Sequence, residues 1–388
     1  MSIDQILVAP GGENITPPPK SDIVATGLGE VGDQYTLEPS ALERTLRGVA
    51  VAIQLEKEWD DMLVQWFSIT QKKASTTLSV TQWLAAAQEE LSSEPELVLI
   101  MNVVIGLSYM RERGRTSDLR QDPLSVDFIW PIISAALAAP NSSFKVSRSA
   151  GGFLFVPLCS LIKDGKIDEL WRLHVWLPDG KRGNVIHSHN AFGQSWILAG
   201  EGKNLLWSVK PAEYDQATHA EYGLQWNDGK KSDSAYKTHQ VSSTIVNTKK
   251  YVAADLSSTD VHLRNTTYSV SDKQWHSSEV APDRVCATLF VFDALRGFRD
   301  IAPVLGPKDG ESSTQTRDPA GHTVEEIVKT VENVRAWEDL VQSGRRYNLS
   351  GKRDVAEETF KCALKLCQEL PGFPNRELYI KSTRNEME

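Results

Sequence analysis

Cysteine is scarce in this chain: Cys159, Cys286, Cys362 and Cys367 are the four in 388 residues, and no C-x-x-C occurs. That pattern does not make a disulfide framework and points to reduced thiols in an intracellular protein. No charged-then-apolar leader follows Met1, and no apolar run reaches spanning length, so a cytoplasmic protein without membrane association is expected. Asn-x-Ser/Thr triplets such as Asn265-Thr266-Thr267 are then coincidences of sequence. Basic excess is missing too. A net charge of −9 argues against nonspecific nucleic-acid binding, which needs a basic face. Several catalytic signatures are absent: there is no G-x-x-x-x-G-K-[ST], no G-x-G-x-x-G after a strand, no G-x-S-x-G elbow and no H-E-x-x-H. No 34-residue repeat recurs, so the chain is not a helical solenoid.

What is present is ordinary in amount, at 40% hydrophobic and 24% charged residues, and uneven in pattern. The length allows one large domain with appendages, or two to three domains. Residues 1–39, with Pro10-Gly11-Gly12 and Pro17-Pro18-Pro19, read as an irregular arm. Residues 40–148 read as a helical subdomain and its polar linker, opened by Ser40 as an N-cap with Glu43 three residues on. Leu42, Leu46, Val49, Ile53, Met62 and Trp66 recur there at helical spacing, and Ser79–Leu91, Glu94–Met110 and Asp127–Ala138 continue it. From Gly152 the period changes to that of strands, and 149–305 reads as a β-barrel. A polar, aromatic-dotted insertion at 210–250 is expected to hold short strands and to cover part of the barrel mouth. Residues 306–388 read as a linker and a helical tail, with helices at Thr323–Ser343 and Lys352–Glu369 and a frayed end from Ser382. Eleven Trp is a high count; those in the barrel region serve chiefly to pack two sheets.

The stretch Val185–Gly202, V-I-H-S-H-N-A-F-G-Q-S-W-I-L-A-G-E-G, organises the rest. His187 and His189 are two apart, so on a strand both imidazoles face one way. Ser195–Ala199 continues as a strand, and Gly200-Glu201-Gly202 is expected to turn it. Upstream, Glu169–Pro178 is strand-like and closes on Pro178-Asp179-Gly180. Downstream, Tyr268–Asp293 gives a short strand, a turn at Ser271–Gln274, His276, a second turn at Ala281–Asp283 and a long buried-type strand.

These residues resemble the cupin superfamily over roughly Leu170–Asp293. Cupins are double-sheet jelly rolls, so the resemblance implies an α+β chain built on a cupin-type β-sandwich. In that family the first motif supplies H-x-H and ends on a Gly-rich turn, as Leu198–Gly202 would; the second supplies a histidine after a hairpin, as Tyr268–His276 would. The pattern is most similar to the three-histidine, cysteine dioxygenase-like branch, whose first motif reads I-H-x-H, as Ile186–His189 does. Other cupins place a Glu ligand after H-x-H, where this chain has Gly193 or Gln194. The strand after the last histidine departs from the thiol dioxygenases. Their Ser, His and Tyr align with Thr288, Phe290 and Phe292, which weighs against a thiol substrate. The spacing departs as well, with His276 lying 87 residues after His189.

The resemblance thus implies a metal held by His187, His189 and His276. Imidazole ligands suit iron(II), the expected metal, and leave zinc, nickel, copper and manganese open. Three protein ligands leave coordination positions free, as a catalytic site requires. Gln194 and Arg172 are the candidate catalytic side chains, the first toward bound water, dioxygen or substrate and the second toward a substrate carboxylate. His262 competes as third ligand, and His174 reads as a hydrogen-bonded core residue. Two functions fit: an iron-dependent oxygenase acting on a small organic substrate and dioxygen, or a non-catalytic cupin-fold ligand-binding or regulatory protein. A homodimer is compatible with either.

Overall fold

Apolar residues recur at helical spacing before residue 141 and at strand spacing after Gly152, and the computed structural model divides in the same way. It describes residues 35–73, 77–116, 124–140, 142–181, 183, 185–225, 238–239, 242–316, 320–370 and 372–388. Most of the expected N-terminal arm lies outside these. Helices α1 (Pro39–Ile53), α2 (Lys57–Lys73), α3 (Val80–Glu90), α4 (Pro95–Thr116) and α5 (Leu124–Leu137) come first. Pro39 occupies the first turn of α1 and Glu38 is its N-cap without a side-chain bond, so Ser40 lies inside the helix and does not cap it. A reciprocal capping box forms instead at Ser79 and Gln82, opening α3.

The strands longer than two residues are β1 (Leu154–Lys163), β2 (Lys166–Trp176), β3 (Ala191–Pro211), β4 (His219–Gln225), β5 (Ser242–Leu263), β6 (Thr267–Val270), β7 (Trp275–Glu279), β8 (Cys286–Phe298), β9 (Val304–Gly306) and β10 (Ser312–Thr316). All their pairings are antiparallel, and they curl into a half-barrel consistent with the cupin-like β-sandwich. One strand belongs to both sheets. Residues 191–200 of β3 pair with β8 and β6, whereas residues 201–211 pair with β5 and β7. The expected turn at Gly200–Gly202 is therefore a corner within one strand, with a register shift alongside it at Ala287/Thr288. Gly200 makes the corner feasible: its φ is +77°, and a Cβ there would lie 2.0 Å from the Val285 carbonyl oxygen.

Alternation along the strands separates the two faces of the first sheet. Trp171, Leu173 and Val175 of β2 and Leu289 and Val291 of β8 join the main core with the helices. Their neighbours Arg172, His174, Trp176, Phe290 and Phe292 face the barrel interior. The N-terminal helices grip the outer face through polar contacts as well. Arg111 of α4 donates to the buried Glu169 carboxylate at 2.7 Å, and the Trp171 indole donates to the same carboxylate at 2.6 Å.

Helices α6 (Val324–Leu349), α7 (Arg353–Glu369) and α8 (Arg376–Met387) complete the described chain. The expected fraying from Ser382 does not occur. Tyr379, Ile380 and Thr383 of α8 are buried, and the Trp337 indole donates to the Thr383 hydroxyl at 2.8 Å. Helix α6 braces the corner of β3, since Glu338 accepts the Gly200 N–H at 2.8 Å and Arg335 donates to the Leu198 carbonyl at 2.6 Å. Within the insertion, β4 and the start of β5 are strands of the second sheet; Trp226 and Tyr236 lie outside the described residues. Among the described residues no helix is long and apolar enough to cross a membrane.

The corner predicts a contrast between two left-handed glycines. Gly180→Ala, at φ +72° with nothing near its Cβ, should cost about 1–2 kcal/mol, the ordinary left-handed penalty. Gly200→Ala adds a backbone collision to that penalty and should cost at least about 3 kcal/mol. Urea unfolding of the two variants measures both; equal losses would mean that the corner is not sterically fixed.

Candidate metal centre

The H-x-H segment precedes β3 and is not itself regular strand. Backbone bonds thread it between β7 and β9. The His187 N–H donates to the His276 carbonyl and the His276 N–H to the His187 carbonyl, each at 2.9 Å. Leu305 donates to the Ile186 carbonyl at 2.8 Å, and Ser188 to the Pro303 carbonyl at 3.0 Å. His276 is itself fixed by β7, which pairs with the second half of β3 so that His276 stands opposite Leu206. Arg299 then holds the next turn by donating to the His189 carbonyl at 3.0 Å. Residues 89 apart in sequence are thus joined by main-chain bonds.

The three side chains meet. Ligand atoms of His187, His189 and His276 all lie within 4.8 Å of one another. His189 is 8% exposed and His276 4%, and burial holds all three imidazoles below their ordinary pKa, hence neutral near pH 7. Two tautomers follow from their partners. Nδ1 of His187 donates to the Val185 carbonyl and Nδ1 of His276 to the Asn204 amide oxygen, each at 2.9 Å. Their Nε2 atoms therefore carry lone pairs. Both face Nε2 of His189, at 3.2 and 3.0 Å.

This arrangement fits a divalent cation. His189 has at most one proton to offer at Nε2, so one of the two contacts sets lone pair against lone pair. A cation among the three nitrogens turns that repulsion into ligation. Nitrogens about 2.1 Å from one ion and at right angles to each other are about 3.0 Å apart, close to the spacing found. All three donors are neutral imidazoles, which suit iron, zinc, copper and nickel alike.

The cluster opens on a cavity of about 650 Å³ lined mainly by apolar and aromatic side chains. Arg172 is in its wall, with its guanidinium 4.8 Å from the Phe155 ring centre, and its charge helps to depress the His189 pKa. Gln194 is not in the wall. Gly193 and Ser195 face the cavity, so the residue between them points the other way, and its amide is engaged by Arg296 at 2.7 Å and Thr267 at 3.2 Å. The structure therefore does not bring the Gln194 side chain to the histidine cluster. His262 also lies apart from the cluster, stacked on Tyr268 at 4.3 Å. His239 sits against the end of α1 beside Lys145. Tyr222, Leu224 and Ile245 bring the insertion into the cavity wall.

Three contributors are not among the sequence candidates. Asn204 fixes the His276 tautomer from the neighbouring strand, and no spacing rule would single it out. Gly193 packs against the cluster; a Cβ there would be 3.0 Å from Nδ1 of His189 and 3.2 Å from Phe290. His174 lines the cavity and has no place in the helix-packed core. For His174 the alternation R-L-H-V-W over Arg172–Trp176 was a usable signal.

No family model matches the chain, and no curated protein matches it. Among solved structures, a hydroxypropylphosphonic acid epoxidase from S. wedmorenis aligns at 9% identity over 55% of this chain and 96% of that one. Its TM-score of 0.22 is too low for the likeness to bear on fold or chemistry. The curled antiparallel half-barrel and the histidine cluster are compatible with the cupin resemblance on their own terms.

Two outcomes follow. Asn204→Ala should lower affinity for an added divalent metal about 10–100-fold by freeing the His276 ring, as loss of such a partner does elsewhere. Gly193→Ala should also weaken it, whereas Gly223→Ala, with 3.7 Å of room, should not; competition with a chromogenic chelator reads all three. The second outcome concerns pH. Each histidine folds neutral, with a pKa below the ordinary 6.5 that it regains on unfolding. Stability of the metal-free protein should therefore be full above 6.5 and fall as the pH drops through that value toward the folded pKa values. Urea midpoints between pH 7.5 and 5 measure the slope, and His276→Asn should flatten it.

Proposed function

We propose that the protein is a metal-dependent enzyme in which His187, His189 and His276 hold one divalent metal, and that it is an iron(II) oxygenase acting on a small organic substrate. The observation that carries this reading is the convergence of three buried, neutral imidazoles, two with their tautomers fixed by hydrogen bonds, at the base of an apolar cavity. Iron held by three histidines would supply free adjacent positions at which substrate and dioxygen meet. Gly193 offers no side-chain ligand, and its backbone packs against Nδ1 of His189, the nitrogen away from the cluster, where a Cβ would stand only 3.0 Å off. Phe290 and Phe292 stand against the His189 ring, at 6.0 and 4.9 Å between centres, and exclude water from that side. Arg172 is positioned to hold an anionic group of the substrate.

Metal analysis and oxygen uptake test the proposal. The purified protein should carry close to one metal per chain. Replacing any one of the three histidines by Ala should remove most of it, together with any oxygen consumption, and His262→Ala should do neither. Metal content that follows His262, or activity that survives replacement of all three, would turn the reading toward a ligand-binding protein without catalysis.

A further inference from the structure

The cavity holds a polar side chain that the metal centre does not use. His174 is 7% exposed, stands in the cavity wall, and its Nε2 finds no hydrogen-bond partner among the described residues. Its ring is held between aromatic neighbours: Phe290 stacks on it at 4.8 Å and 21°, and Phe153 lies 4.7 Å away. A buried polar group without a partner is destabilising, and a ligand hydrogen bond would offset that cost. A histidine that served only packing would be replaced there by phenylalanine without that cost.

The surroundings define what the partner can be. Phe153, Phe155, Trp176, Phe290, Phe292 and Tyr268 present ring faces and edges to the space, and its volume of about 650 Å³ suits a molecule of one or more fused or linked rings. Burial and the nearby charge of Arg172 keep His174 neutral, so the ring offers one N–H and one bare nitrogen. A hydroxyl, which both donates and accepts, pairs with either nitrogen. An ammonium group is disfavoured by the Arg172 charge.

We propose that the cavity takes a hydroxylated aromatic molecule, its rings packed against the aromatic wall and its hydroxyl paired with His174. This deepens the reading of the cavity as a substrate site and names its substrate class. His174 is then a residue that recognises the substrate and takes no part in holding the metal.

Equilibrium dialysis of the full chain with naphthalene and 2-naphthol tests it. The wild type should bind 2-naphthol about five- to tenfold more tightly than naphthalene, the ratio that one net hydrogen bond supplies. His174→Phe should keep its naphthalene affinity and lose the preference, and His174→Gln, which can still pair with a hydroxyl, should keep part of it. Ile245→Trp, filling the cavity from the opposite wall, should weaken both ligands. A preference that survives His174→Phe, or failure of both ligands to bind the wild type, would overturn the proposal. Metal content measured on the same samples separates the two readings. Metal retained without the naphthol preference sinks only this inference, and the preference retained without metal sinks only the proposed function.

Discussion

The structure depends on a single strand changing sheets. β3 begins against β8 and ends against β5 and β7, and the passage is made at Gly200, where only a residue without a side chain fits beneath the Val285 carbonyl. The first half of β3 places Gly193 and Ser195 in the cavity wall. The second half carries Asn204 and aligns β7, so that His276 arrives opposite His187. Without the corner, the two motifs that supply imidazoles would belong to separate sheets with no common point. The bracing of Gly200 by Glu338 ties the C-terminal helices to the same place.

Around that corner the histidines are positioned by main chain more than by side-chain packing. The reciprocal bonds between His187 and His276 fix two Cα atoms against each other before either ring is considered. Side-chain partners then set the rings: a carbonyl for His187 and an amide for His276. Nδ1 of His189 has no such partner among the described residues and is confined instead by Gly193 and the Phe290 and Phe292 rings. Two imidazoles are oriented by hydrogen bonds and one by shape, which is why a methyl group at Gly193 is expected to matter.

Much of this was legible in the residues. The change of period near Gly152 and the turn at Ser271–Gln274 are local patterns, and local patterns survive in sequence, whereas the pairing of H-x-H with His276 is implied only by the cupin resemblance. The corner at Gly200 reads as a turn because a Gly-Glu-Gly triplet looks the same whether a strand reverses or bends onto another sheet; the pairing partners that decide are remote. Gln194 lies one residue from the wall-lining Gly193 and Ser195, and on a strand one residue is a change of face. His174 reads as a core residue because the alternation over Arg172–Trp176 shows that the three share a face but not which face is the cavity wall. Asn204 acts only through a contact 72 residues away and leaves no trace at its own position.

On the proposed function, three neutral imidazoles ligate one ion through Nε2. X-ray absorption spectroscopy of the iron-reconstituted protein tests it most directly. The account predicts a first shell containing three imidazole nitrogens at about 2.0–2.2 Å, with the outer-ring scattering that imidazole gives and no sulfur. A shell with fewer than three imidazoles, or one unchanged in the His276→Ala protein, would contradict it.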